Sequence, residues 1–373
     1  MVIYANKIKK FNISNDMKKV CVIFGGQSSE HDISIITGMQ LCKNFYSEKI
    51  EKIYFGLDNK FYLATQIEDL EFFEDKKNIK LKEVVFLDGA IYKLGFTLKK
   101  LFDVECVINC CHGGVGENGD LAGFFEVNKI RCASASSLSS HIAMDKSITK
   151  ELIKEIVPTI KGVKVTKFNF DEATKNIDET FPFELIVKPN SLGSSIGVKA
   201  CNIENYKEHI EAIFEMFDDV LVEERVVEIE EYNQACLRDG EELVLSAIEN
   251  PITKSEFLTF EDKYKTPSKT KGKDREIPAK ISKKLEEQIN SYTKAIYSAL
   301  NMKGVARIDY IYDKKKKQLY FNEINTIPGS MAFYLYEPIG IDYISLINKL
   351  INNATVPKEY KYFNTNILKD KKF

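Results

Sequence analysis

Four polar side chains stand two apart on two adjoining apolar runs. Residues 305–313, VARIDYIYD, and 318–325, QLYFNEIN, read as strands joined by a Lys-rich loop. Arg307 and Asp309 lie on the first strand, Glu323 and Asn325 on the second. Strand alternation turns each pair to one face. Asp, Glu and Asn oxygens are the hard ligands that Mg²⁺ takes, and Mg²⁺ commonly comes with nucleotide phosphates. An Arg beside such a cluster can stabilise charge that develops on a transferring phosphoryl or acyl group. A solvated hairpin is the plain alternative for the first strand taken alone. On the second strand, however, Glu323 and Asn325 stand among Phe321, Ile324 and Ile327. A carboxylate on an apolar strand is costly unless a cation meets it.

A second run, VKPNSLGSSIGV at 187–198, has a Lys at a strand end followed by a Gly/Ser loop. Loops of this kind offer backbone N–H groups to phosphate oxygens, and Lys188 adds a point charge. It is not a Walker A loop, because the Lys precedes the glycines. Alone it reads as a turn; beside the carboxylate cluster it reads as a phosphate cradle. Cys110 and Cys111 directly precede His112, which raises a thiol nucleophile. They end the strand-like run VECVINCC, where Cys acts as a small hydrophobe. None of the eight cysteines has CxxC spacing, so reduced, buried thiols are expected rather than disulfides or a zinc site.

The elements that must position these groups alternate early and pair antiparallel later. Residues 18–24 form a buried strand followed by Gly25-Gly26 and a helix, the opening of an α/β unit. A strand at 104–111 runs into the Gly-rich loop HGGVGENGDLAG. Segment 68–100 is charged and left unassigned. A helix is expected over 141–156, and strands over 183–189 and 219–225. Two strands flank Asp239-Gly240 as a hairpin. Helices follow at 281–301 and 341–353. Residues 252–278 are polar and long for a loop, which suggests a closing lid. The chain of 373 residues is 44% hydrophobic and 29% charged, enough for two or three domains with real cores. A net charge of −2 argues against nucleic acid or an anionic membrane as partner. No apolar run reaches membrane-spanning length, and residues 1–17 read as a polar extension without a secretory signal.

Eight segments in order make this chain resemble the D-alanine–D-alanine ligases of the ATP-grasp superfamily: VIFGGQSSEHDIS, HGGVGENGDLAG, MDK, VKPNSLGSSIGV, LVEERVVEIEEY, FEDKY, ARIDY and NEINTIPG. The resemblance runs from about residue 19 to about 353. It implies an α/β and α+β chain, with a Rossmann-like N-terminal domain (18–135) before a two-lobed ATP-grasp fold (136–228 and 229–373). It also implies a cytoplasmic ligase, commonly a homodimer, that joins two D-alanines through an acyl phosphate for peptidoglycan precursors. ATP and two Mg²⁺ (or Mn²⁺) ions are the implied cofactors. Lys146, Lys188 and Ser195 would hold ATP phosphates; Glu224 and Val227 would border adenine, and Glu231 the ribose. Asp309, Glu323 and Asn325 would carry the metal ions. Glu30 would take the first D-alanine's ammonium with His112 nearby, and Ser194 and Tyr264 would join Glu30 in a hydrogen-bonded set under the lid. Arg307 and the Gly329 N–H would form the oxyanion site. Lys263, Tyr334 and Leu335 would meet the second substrate.

One match departs from the family pattern. Five residues past Gly329, where the family usually has Ser, this chain has Tyr334. The acceptor is therefore D-alanine, or another amine such as D-serine or glycine. Two other function classes fit the residues less well. A non-catalytic ATP-binding protein would lack metal ligands or the lid Tyr, and both are present. An NAD-dependent oxidoreductase would need GxGxxG after the first strand, which is absent.

Overall fold

A computed structural model describes residues 18–45, 49–74, 81–193, 196–252 and 275–358. Its strands fall into three sheets. The N-terminal sheet links β1 (Lys19–Gly25), β2 (Ile50–Phe55), β3 (Phe61–Leu63), β4 (Lys82–Leu87), β5 (Ala90–Lys93) and β6 (Lys99–Asn109) in a closed ring. Only β2, β1 and β6 run parallel; β3, β4 and β5 form an antiparallel meander that closes the ring. The charged segment 68–100 supplies β4, β5 and the start of β6. Val84, Phe86 and Ile91 on these strands are buried.

β1 is buried on both faces, as its continuous apolar run requires. Cys21 and Ile23 pack inside the N-terminal unit. Val20, Val22 and Phe24 pack in one core with Leu335, Tyr336, Leu346 and Leu350 from the far end of the chain. This shared core holds the N-terminal unit against the last helix, Tyr343–Asn352.

The central sheet is antiparallel, β7 (Gly162–Thr166), β10 (Asp219–Glu224), β8 (Glu184–Pro189) and β9 (Lys199–Asn202) in that order. The expected single helix over 141–156 is two, Ser137–Met144 and Lys146–Ile153. Asp145 between them is extended, and its carboxylate caps the second helix by accepting from the Ile148 N–H at 2.9 Å.

The C-terminal sheet has the order β13 (Arg275–Glu276), β12 (Glu242–Pro251), β11 (Ile229–Asp239), β14 (Val305–Asp313), β15 (Gln318–Asn325). Helix Lys283–Ala299 covers one face through Ile289, Ile296 and Tyr297, against Ile308, Tyr310 and Phe321. The opposite face carries Arg307 and Asp309, beside Ala235, Leu237 and Val305, which join the core shared with the N-terminal unit. All eight cysteines are free thiols, seven of them buried. Burial pushes the Cys110 and Cys111 thiols well up, which is the inert state expected of them.

Candidate active site

The β14–β15 pairing sets Arg307 directly across from Asn325 and Asp309 directly across from Glu323. The four groups that sequence spacing put on one face are thus two cross-strand pairs. Ile308, Tyr310 and Ile324 point the other way, under the helix. Arg307 grips Asp309 with two bonds, Nε to Oδ1 at 2.7 Å and Nη2 to Oδ2 at 2.8 Å. Lys146 Nζ lies 3.5 Å from Glu323 Oε2. Asp309 and Glu323 side chains are 13% and 29% exposed, so their charges need such partners. Among the described residues no three His, Cys, Asp or Glu side chains gather into a metal cluster. Two carboxylates and an amide remain, a donor set that fits Mg²⁺ when substrate phosphates and water complete its shell.

Three buried lysines converge beside this face. Lys146 begins its helix, and its Nζ donates to the Leu192 carbonyl at 2.6 Å. Lys188, at the end of β8, pairs with Glu223 at 2.6 Å. Lys150 pairs with the same Glu223. Burial pushes the Lys150 ammonium down to about 8, and Lys188 and Lys146 add to this against the pull of Glu223. Burial also lowers Lys146. Desolvation works against the Glu223 charge, but the two lysines outweigh it and hold its carboxyl below the ordinary range. Sequence reasoning missed Lys150 and Glu223. The spacing of Lys146 and Lys150, four apart on a helix, carried a signal that both share one face. Glu224, the residue expected beside adenine, faces away from Lys188 on β10 and is 3.9 Å from Lys161. Successive residues of a strand face opposite ways, so the carboxylate turned to Lys188 is Glu223. Glu231 lies on β11 across from Ile311, two residues before Asn233. Val227 is exposed between β10 and β11.

The N-terminal unit brings a third group. Glu30 is buried just before helix His31–Asn44. A Cβ on Gly113 would stand 2.8 Å from Glu30 Oε2, and one on Gly193 would stand 3.7 Å away. The Glu30 carboxylate therefore sits where the HGGVGENG loop meets the Gly/Ser loop. His112 is buried, with Nε2 2.9 Å from Thr37 Oγ1. Burial drops its pKa to about 4; a hydrogen bond to Ile327 backbone opposes this, and Arg307 adds to it. His112 is thus neutral at pH 7. Glu117, also missed from sequence, accepts from the Gly113 N–H at 3.0 Å. Burial and Glu30 raise it to about 7, against the pull of the Thr326 and Ile327 backbone.

After β15 the chain makes an unusual turn. Ser330, Met331 and Ala332 take left-handed φ values of 50°, 55° and 53° in a row. Such backbone costs roughly 1–2 kcal/mol per non-Gly residue. It is held by burial of Met331 and Ala332 and by the Ser330 hydroxyl, which donates to Gln40 at 2.7 Å. Gly329, before the turn, has open space on its Cβ side. The turn delivers Tyr334 toward Glu249 at 3.3 Å. The Leu335 side chain is fully buried in the core, so its backbone is the part it can offer a substrate. Ser194, Ser195, Lys263 and Tyr264 lie outside the described residues, as does most of the expected lid.

Known proteins resemble this chain along most of its length. Residues 19–135 match a family model described as D-ala D-ala ligase N-terminus, and residues 155–352 one described as D-ala D-ala ligase C-terminus. A D-alanine–D-alanine ligase of Campylobacter jejuni is 34% identical over 92% of this chain and 95% of its own length. One from Helicobacter pylori is 32% identical over 92% and 97%. A crystal structure of a D-alanine–D-alanine ligase from Helicobacter pylori superposes with a TM-score of 0.75 at 28% identity, covering 90% of this chain and 98% of that one. The VanG D-Ala:D-Ser ligase from Enterococcus faecalis superposes with a TM-score of 0.77 at 28% identity, with the same coverage.

Proposed function

The chain belongs to the D-alanine–D-alanine ligase family, and from that premise we propose that it joins two D-alanines at the expense of ATP to form D-alanyl-D-alanine for peptidoglycan precursors. The first D-alanine's carboxylate takes the γ-phosphoryl group of ATP. The second D-alanine's amine then attacks the acyl phosphate, and phosphate leaves. Catalysis by positioning and charge is sufficient, without a covalent enzyme intermediate.

The observation that carries this reading is the register of β14 and β15, Asp309 across from Glu323 and Arg307 across from Asn325. Asp309, Glu323 and Asn325 hold Mg²⁺ in this proposal. When bound, the metal neutralises triphosphate charge. Lys146 and Lys188 bind phosphate oxygens, and Glu223 keeps Lys188 oriented. Glu231 takes the ribose. Glu30 holds the donor ammonium; its burial beside Gly113 and Gly193 supports this. Neutral His112 adds no charge to compete for that site. Arg307 and the Gly329 N–H face the oxyanion of the tetrahedral intermediate. Burial of these groups keeps water from the acyl phosphate. Ser194 and Tyr264 close over the donor, Ser195 joins the phosphate cradle, and Lys263 meets the acceptor carboxylate on the loop 252–278. The reading also implies three units (18–135, 136–228 and 229–373), a cytoplasmic location and a homodimer.

The acceptor admits a second reading, because the likeness to the VanG D-Ala:D-Ser ligase equals that to a D-alanine–D-alanine ligase. Sequence relatives at 31–34% identity are D-alanine–D-alanine ligases, which favours D-alanine. The test is incubation with ATP, D-alanine and an equimolar panel of D-serine and glycine, with mass analysis of dipeptides. D-alanyl-D-alanine is expected to dominate; its absence sinks the proposal.

A further inference from the structure

A polar row crosses the open face of the C-terminal sheet. In register it runs Glu249 on β12, Asn233 on β11, Asp309 on β14 and Glu323 on β15. One end of the row is the proposed metal site. At the other end stands the carboxylate of Glu249. Glu249 is 3% exposed. A buried charge of this kind is retained only with partners, and among the described residues Glu249 has three. Arg275 Nη1 lies 3.2 Å from its Oε1. The Asn233 amide donates to Oε2 at 3.2 Å, and the Tyr334 hydroxyl donates to the same oxygen at 3.3 Å.

These contacts fix the Tyr334 ring from several sides. The Arg275 guanidinium lies over it, 5.0 Å from the centroid. Phe333 meets it edge-on with centroids 6.4 Å apart. Tyr334 and Glu249 both lie near enough to Arg307 to act on its charge. Burial, with Glu249 adding, pushes the Tyr334 hydroxyl up to about 12, so it stays a donor. The left-handed turn at 330–332 is what delivers the ring here. Strained backbone persists where its surroundings over-determine it, and the Tyr334–Glu249 bond is one of the restraints.

We infer that Glu249 is a positioning residue of the acceptor pocket. Through Tyr334, with Arg275 as counter-ion, it holds an aromatic wall beside Arg307 and restricts the acceptor to an amino acid with a methyl side chain or none. The inference rests on the ligase reading given above. A ring tied at its hydroxyl and covered by a guanidinium cannot swing aside for a larger acceptor.

The experiment supplies ATP, D-alanine and an equimolar bulkier acceptor, D-valine, and reads the ratio of the two dipeptides. KM is measured separately for ATP, donor and acceptor. Wild type is expected to yield D-alanyl-D-alanine almost alone. In Glu249→Ala the acceptor KM rises about tenfold, the size of one lost hydrogen bond to a charged group. The product ratio shifts toward D-alanyl-D-valine, while KM for ATP and donor moves little. Tyr334→Phe reproduces the shift, and the double variant goes no further than either single. Glu249→Gln, whose amide oxygen still accepts from Tyr334, stays nearer wild type. A folded Tyr334→Phe with the wild-type ratio overturns the inference, even if Glu249→Ala fails to fold. So does a Glu249→Ala that raises all three KM values alike. A wild type that makes no D-alanyl dipeptide defeats the ligase reading instead.

Discussion

Glu323 shows how a single residue type on an unlikely background points to chemistry. On an apolar strand its carboxylate needs a cation, and Lys146 stands 3.5 Å away. Glu323→Ala is expected to lower kcat by at least about 100-fold, since a metal-held phosphoryl transfer loses several kcal/mol without its ligand. Full activity in a steady-state phosphate-release assay would refute the metal role. Glu117 makes a different prediction. Its native pKa is raised to about 7 from the ordinary 4.5. Between those values the native state binds more protons than the unfolded chain, so this group's contribution to stability falls as pH rises through the window. Glu117→Gln removes that dependence. Its melting temperature relative to wild type should rise from pH 4.5 to 7 and then level off; a flat difference would show that Glu117 does not titrate there.

At the scale of elements, pairing register turns spacing into a site. Arg307, Asp309, Glu323 and Asn325 were legible because period-two alternation is strict in strands. Lys150 and Glu223 were not, because each needs the packing of helix Lys146–Ile153 against β10 and β8 to acquire its partner. The helix boundary at Asp145 escaped periodicity for a local reason: one extended residue resets the helix while the apolar pattern continues through it. The loop at Gly113 illustrates a close approach that only glycine tolerates. Its φ is +65°, and a Cβ would stand 2.8 Å from Glu30 Oε2. Gly113→Ala should displace that carboxylate and raise the donor KM about tenfold, equivalent to one charge-assisted hydrogen bond, with the KM for ATP little changed. Equal increases in both would mean the loop has collapsed instead.

At the scale of the molecule, the site draws on all three sheets: Glu30 and His112 from the first, Lys188 and Glu223 from the second, Arg307 to Asn325 from the third. The shared core of Val20, Val22 and Phe24 with Leu346 and Leu350 keeps the first against the third. Ligands that bridge the sheets should therefore stabilise the whole chain. ATP with Mg²⁺ at about 100 times its Kd is expected to add about 2.7 kcal/mol, or a few degrees in Tm. EDTA should remove most of that gain; an equal shift with ATP in EDTA would speak against Asp309, Glu323 and Asn325 as metal ligands.

The residue sequence by itself determined most of the strands, the polar face of β14 and β15, and the family, because alternation and motif order are properties of neighbouring residues. Only the tertiary structure decided which carboxylate of the Glu223–Glu224 pair meets Lys188, that the Leu335 side chain serves the core, and that Glu249 reaches Tyr334. Those facts depend on which faces of distant strands come together. Burial then sets the charge states, as it neutralises His112 and raises Glu117, and burial is a property of the folded chain alone.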